Sequence, residues 1–192
     1  MTVRTLSRRI REQEIQRQIR YNRVRKAVYG RTPELLPDYC RMLFGSTIGL
    51  AIGAWLLQRF AHLDPRYVLP SIGFVYSAQA ASYKLKLARG PDFKVPNCGC
   101  AGGANDRTEA VLLSRHSTIL GIPNVAVGIA LYAAVVVLVH QHHVRYAATL
   151  AIVGLLGSAY PGYVMIVKIG GLCSTCVNIA AVNVLLVVHL VR

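Results

Sequence analysis

Apolar residues in this chain fall in long unbroken runs. They show neither the alternation of a half-buried strand nor the three-and-four spacing of a surface helix. A hydrocarbon core about 30 Å thick takes roughly 17–25 apolar residues of helix to cross. Three runs reach that length without a charged residue: Ser117 to Val139, Tyr146 to Val167 and Ile169 to Val191. Two earlier runs, Met42 to Gln58 and Tyr67 to Tyr83, are uncharged but at the lower limit. The second carries Pro70, Ser71, Gly73, Ser77, Gln79 and Ser82. Small and polar residues of this kind suit helix–helix contact inside a bundle better than contact with lipid. The pattern predicts five helices.

The polar segments divide these runs. Thr5 to Tyr29 predicts a basic helix, with Leu6, Ile10, Tyr21, Val24 and Val28 near one face and Ile15 and Ile19 opposite. Such a helix lies on anionic headgroups or docks onto a larger membrane complex. It lacks the roughly 7–15-residue apolar stretch of a secretory signal peptide. Pro33 and Pro37 set it off from the first run. Lys84 to His116 is the longest polar stretch between runs. Its turn chemistry lies at Arg89-Gly90-Pro91-Asp92 and at Gly99, Gly102 and Gly103, and loops of this length are functional or disordered. The expected organisation is a basic arm over 1–39, an extra membrane helix over 40–62 and a four-helix bundle over 67–192.

Composition sharpens this picture. The 192 residues are 54% hydrophobic, yet 22 Lys and Arg against 8 Asp and Glu give a net charge of +14. Mean hydropathy is +0.41. Charge alone would suggest nucleic acid or a membrane surface. Ten of the 22 basic residues lie between Arg4 and Arg31, without the aromatic interleaving of a nucleic-acid surface. A soluble enzyme, a disordered basic protein and a nucleic-acid partner are therefore set aside. An all-α polytopic protein of the lipid bilayer, in an inner (cytoplasmic) membrane, fits both the charge and the hydropathy.

Candidate chemistry rests on five cysteines. Cys40 stands alone at the mouth of the first run and reads as a small interface hydrophobe. Cys98-Gly99-Cys100 lies in the long loop, and Cys173-Ser174-Thr175-Cys176 opens the last run. Two membrane crossings separate these pairs, so both lie at one membrane face. At a helix N-terminus, the macrodipole and free N–H groups stabilise a thiolate and activate it as a nucleophile. The loop pair could exchange with it through a mixed disulfide, and a quinone in the bundle is the natural electron acceptor in a membrane. Two other readings stay open: a four-thiolate zinc site and structural thiols or one inert disulfide. His140, His142 and His143 cluster at the opposite face and read as a wet turn at the headgroups.

The run from Ser114-Arg115-His116 through Gly121-Ile122-Pro123-Asn124 to Gly128 and Tyr132, with Cys173 and Cys176 two membrane helices downstream, resembles the vitamin K epoxide reductase family. Ser77 to Asn97 is similar to the family's first core helix running into a basic loop. The resemblance covers residues 67 to 192. It implies a four-helix bundle around a quinone of the ubiquinone or menaquinone type. It implies that Cys173 and Cys176 are the active-site pair, with Cys176 nearer the quinone and Cys173 exchanging with the loop cysteines Cys98 and Cys100. Asn124 would hydrogen-bond a quinone carbonyl or shape its pocket, and Ser114 would support the same site. Two positions depart from the family pattern. Thr108 stands where members usually have a second loop cysteine, and Ala180 stands where eukaryotic enzymes have a Tyr. The second argues against vitamin K epoxide as substrate and leaves ordinary quinone reduction.

The expected function is a quinone-linked membrane thiol–disulfide oxidoreductase fed by a thiol-donor protein or thioredoxin-like partner. The alternative is a non-catalytic scaffold subunit docked to a larger complex through the arm. If all five runs span, the cysteine face holds 18 basic residues against 4 on the other, which places it in the cytoplasm. If the first run does not span, 15 lie opposite the cysteines and 7 beside them, with the cysteines outside.

Overall fold

The computed structural model describes residues 35–89, 95, 108–119 and 122–191. The expected basic helix and the loop pair Cys98 and Cys100 lie outside these residues. Helix α1 is Leu35–Ala61, α2 is Pro65–Arg89 and a short α3 is Thr108–Leu113. A 3-10 turn, Arg115–Ser117, leads to a two-residue antiparallel pair, β1 (Thr118–Ile119) and β2 (Ile122–Pro123). Then follow α4 (Asn124–His140) and α5 (Val144–Tyr163), which continues as a π-helical stretch, Val164–Ile169. The last helix, α6, is Ser174–Val191.

All five apolar runs form helices, with differences at their starts. The run from Ser117 was expected to be helical throughout, yet α4 begins only at Asn124. Pro123 lacks an N–H and sits at φ −59°, ψ 131°, and the residue before a proline is pushed out of the α region. The Ser117 hydroxyl meanwhile bonds back to the carbonyls of Leu112 and Ser114 at 2.9 and 2.7 Å. The run from Ile169 becomes helical only at Ser174. Gly170, at φ 67° and ψ 42°, closes the preceding helix in the left-handed conformation, which glycine adopts without a Cβ clash. The first run begins earlier than expected, at Leu35, because Pro37 falls in the opening turn, where no intrahelical N–H bond is lost.

Helices α2, α4, α5 and α6 close a ring in which each packs against its chain neighbour and α6 returns to α2. Leu69, Tyr132, Val135, Ala147, Ala151, Val182 and Leu186 fill the interior. Gly73 on α2 lets the Tyr132 ring of α4 lie directly against its backbone, where a Cβ would collide with that ring. The Tyr132 hydroxyl donates to Asn183 Oδ1 at 2.8 Å, and Asn183 Nδ2 donates to the Gly154 carbonyl at 3.0 Å. One buried amide therefore ties α4, α5 and α6 together.

Helix α1 stands outside the ring and packs along α6. Ser46 Oγ donates to Asn178 Oδ1 at 2.8 Å. Its other face presents Phe44, Ile48, Ile52, Trp55 and Phe60 outward, as a lipid-facing surface does. Leu36–Ala61, Val144–Ile169 and Ser174–Val191 are each long and apolar enough to cross a membrane, and Asn124–His140 is a shorter apolar helix. The molecule is an all-α polytopic membrane protein. Residues from both ends of α1 place it: Tyr39 packs on the buried cluster that includes Cys173 and Val177, and Gln58 lines a cleft with His189 at the far end of α6. Helix α1 thus runs the full length of the bundle.

Candidate functional site

The CxxC lies where the chain turns from α5 into α6. Cys173 is the residue before the helix, and its carbonyl accepts the first helical bond, from Val177 N–H at 3.0 Å. Its Sγ accepts the N–H of Cys176 at 3.3 Å. The thiol thus takes the place of the Ser or Asp oxygen that usually caps a helix start. Cys173 is fully buried and Cys176 partly exposed, and neither is in a disulfide. The two sulfur-bearing residues are held one turn apart, the outer one reachable and the inner one sealed.

Three elements enclose this pair. Ala110 and Val111 of α3, Val164, Met165 and Ile169 of the π-helical stretch, and Tyr39, Met42 and Leu43 of α1 pack around Cys173, Val177 and Cys176. Thr108 opens α3 and is buried. Ser114 is buried too, and its hydroxyl donates to the Val111 carbonyl at 2.8 Å. It fastens the end of α3, the helix that leans on Cys173.

Asn124 starts α4. Its Nδ2 donates to the His116 carbonyl at 3.1 Å, while Oδ1 is buried without a hydrogen-bond partner. Ser77 Oγ on α2 is likewise buried and unpaired. It lies 2.9 Å from where a Cβ on Gly128 would stand, one helical turn from Asn124. Buried polar atoms are nearly always satisfied. The two orphans on one helix–helix seam offer a hydroxyl and a carbonyl acceptor to a ligand. His116 also touches α5, with Nδ1 3.1 Å from the Tyr160 hydroxyl. Tyr160 is two residues from Gly162, against which Tyr39 rests. A chain of contacts thus leads from Asn124 round to the surroundings of Cys176.

The structure brings Cys173, Cys176 and the α3 end with Ser114 into one neighbourhood and sets Asn124 along the same rim. Three contributors were not singled out from sequence. Lys84 of α2 donates to the carbonyl and hydroxyl of Ser117 at 3.0 and 2.7 Å, pinning the 3-10 turn. Tyr160 partners His116, and Tyr39, expected in the basic arm over 1–39, belongs to α1. Only Lys84 left a signal, as a charge at the end of an otherwise apolar run. Among the described residues, no group of three or more His, Cys, Asp or Glu could hold a metal ion. A comparison with curated proteins gives no match. A family model described as the vitamin K epoxide reductase family matches residues 65–191.

Proposed function

The chain belongs to the vitamin K epoxide reductase family, and from that premise we propose that it is a quinone-linked membrane thiol–disulfide oxidoreductase working through Cys173 and Cys176. Members of this family are in general quinone-coupled oxidoreductases. The observation that carries the reading is the Cys173 sulfur capping α6 through the Cys176 N–H, with Cys176 left reachable.

A bound quinone of the ubiquinone or menaquinone type supplies an acceptor for two electrons and two protons. The protein residues do the rest. The Cys173 and Cys176 thiols release two electrons and two protons as their disulfide forms. The Ser77 hydroxyl, unpaired, would donate to a carbonyl oxygen of the quinone, and the unpaired Asn124 Oδ1 would accept from a hydroxyl of the reduced form. The α3 helix, fastened by Ser114, keeps water from Cys173. The dithiol is restored by exchange: a Cys98 or Cys100 thiolate attacks the disulfide, a mixed disulfide forms, and the second loop thiol resolves it. The resulting loop disulfide is reduced by a dithiol protein of thioredoxin-like chemistry.

We place the cysteine face in the cytoplasm of an inner membrane. With α1 running the length of the bundle, the arrangement with 18 basic residues on the cysteine side is the one the positive-inside rule favours. The functional test is quinone reduction by the purified full chain with a dithiol donor. Cys176→Ser is expected to lower the rate at least about a hundredfold, as loss of a covalent nucleophile does. An unchanged rate would sink the mechanism.

A further inference from the structure

The end of the bundle away from the cysteines carries a cleft of about 580 Å³ between α1, the α1–α2 turn, α2 and α6. That is the size of an ordinary ligand site. Four side chains able to donate hydrogen bonds line it: Gln58 from α1, His62 from the turn, Arg66 from α2 and His189 from α6. Among the described residues, none of these four side chains is engaged in a hydrogen bond or ion pair. The one acid of the lining, Asp64, is already engaged. Its Oδ1 accepts the Arg66 N–H at 2.8 Å, and its carbonyl accepts the N–H groups of Tyr67 and Val68 at 3.0 and 3.2 Å. Asp64 thus caps the start of α2, where the positive end of the helix offsets a carboxylate. The unspent groups are donors. The uncompensated charge is that of Arg66, to which either histidine adds when protonated. Such a lining suits a phosphate-type anion.

The cleft lies at the membrane–water boundary. Helix α1, long and apolar enough to cross a membrane, ends there at Ala61. His189 is about 22 Å along α6 from Ser174, at roughly 1.5 Å per residue, so the cleft is separate from the CxxC. Apolar surface leads up to it. Leu63 lines it, and Leu63, Phe60 and Leu57 are all exposed. Trp55, the only tryptophan of the chain, is exposed one turn before Gln58, and tryptophan favours the headgroup level. A free phosphate ion would use the donors and leave this surface bare, whereas a phospholipid uses both. We propose that the cleft binds the headgroup of an anionic phospholipid, with Gln58, His62, Arg66 and His189 around the phosphate and the acyl chains along Leu57, Phe60 and Leu63. The bound headgroup bridges α1, α2 and α6 at the end of the bundle opposite the CxxC. The site does not depend on the redox reading, and no covalent bond changes in it.

The test reconstitutes the full chain in vesicles of phosphatidylcholine with rising fractions of phosphatidylglycerol, one of the two lipids brominated. Bromine quenches Trp55, so its fluorescence gives the affinity of the neighbouring site for phosphatidylglycerol relative to phosphatidylcholine. A preference of roughly fivefold is expected, the worth of one basic side chain near a membrane surface. Arg66→Gln is expected to bring the ratio to about one. His189→Gln, which removes a donor from α6 alone, should lower it about twofold or more. Arg145→Gln removes the same charge at the same end of the bundle, from the start of α5 outside the cleft, and should keep the wild-type ratio. No preference in the wild type, or an unchanged ratio in Arg66→Gln or His189→Gln, overturns the proposal. So does an equal loss in Arg145→Gln, which would mean general surface attraction. An excess of inorganic phosphate at constant ionic strength should leave the preference in place. Its abolition would assign the cleft to a soluble phosphate and overturn the lipid reading.

Discussion

Asn183 shows how a single side chain organises three helices. It is 3% exposed, accepts from Tyr132 and donates to Gly154. Asn183→Ala removes the Gly154 carbonyl's side-chain donor and leaves the Tyr132 hydroxyl only the longer, 3.5 Å bond to the Ile179 carbonyl, at an expected cost of about 1–2 kcal/mol. Tyr132→Phe removes one donor and frees one acceptor, with an expected cost of about half that. Both are read from unfolding midpoints in mixed micelles, and equal midpoints for Asn183→Ala and the wild type would show that packing alone fixes Tyr132. The sequence marks Asn183 only as a polar residue in an apolar run, which implies that it faces inward. Its partners are 29 and 51 residues away, a pairing that hydropathy does not encode. The CxxC was legible for the opposite reason. Its two cysteines are three apart in sequence and need only a helix start to meet.

At the scale of the element, the junction between α5 and α6 decides the geometry of the cysteines. The α-helical α5 passes Pro161, turns π-helical over Val164–Ile169 and stops at Gly170. A π-helical stretch is rare and gathers at functional sites; here it supplies Val164, Met165 and Ile169 as the floor beneath Cys173. Gly170 has open space where a Cβ would be, so its requirement is conformational alone. Gly170→Ala is therefore expected to cost about 1–2 kcal/mol from the left-handed backbone. Circular dichroism melts would register it as a lowered midpoint with unchanged helix content, and no loss would mean that the turn readjusts freely. Five helices were readable from apolar length, but the π-helical stretch was not, because hydropathy is blind to a change in hydrogen-bond spacing. The short β pair before α4 was missed for a related reason: Ser117 to Pro123 is as free of charge as the helix that follows, and only Pro123 marked the break.

For the whole molecule, the decisive feature is the alternation of five long helices, which puts both ends of α1 at opposite ends of the bundle. Sequence arithmetic left two orientations open because Met42 to Gln58 was short. The structure lengthens that helix to Leu35–Ala61. Cys40 is exposed near the cysteine-bearing end, so it reports on sidedness. A membrane-impermeant maleimide is expected to label Cys40 in inverted membrane vesicles and to spare it in intact cells. Labelling in intact cells would reverse the proposed orientation.

The docking of α1 along α6 also bears on biosynthesis. Of the described helices, α1 is the first to leave the ribosome and α6 the last, yet Tyr39 joins the cluster around Cys173 only when the two are side by side. During insertion α1 must remain close by, unpartnered along its α6-facing stripe, until the other helices have entered the bilayer. A truncated or stalled chain would carry Tyr39 and Cys40 but no completed thiol centre. Full reactivity would then arise in one step, with the arrival of the final helix, and so report that the membrane assembly of the chain is finished.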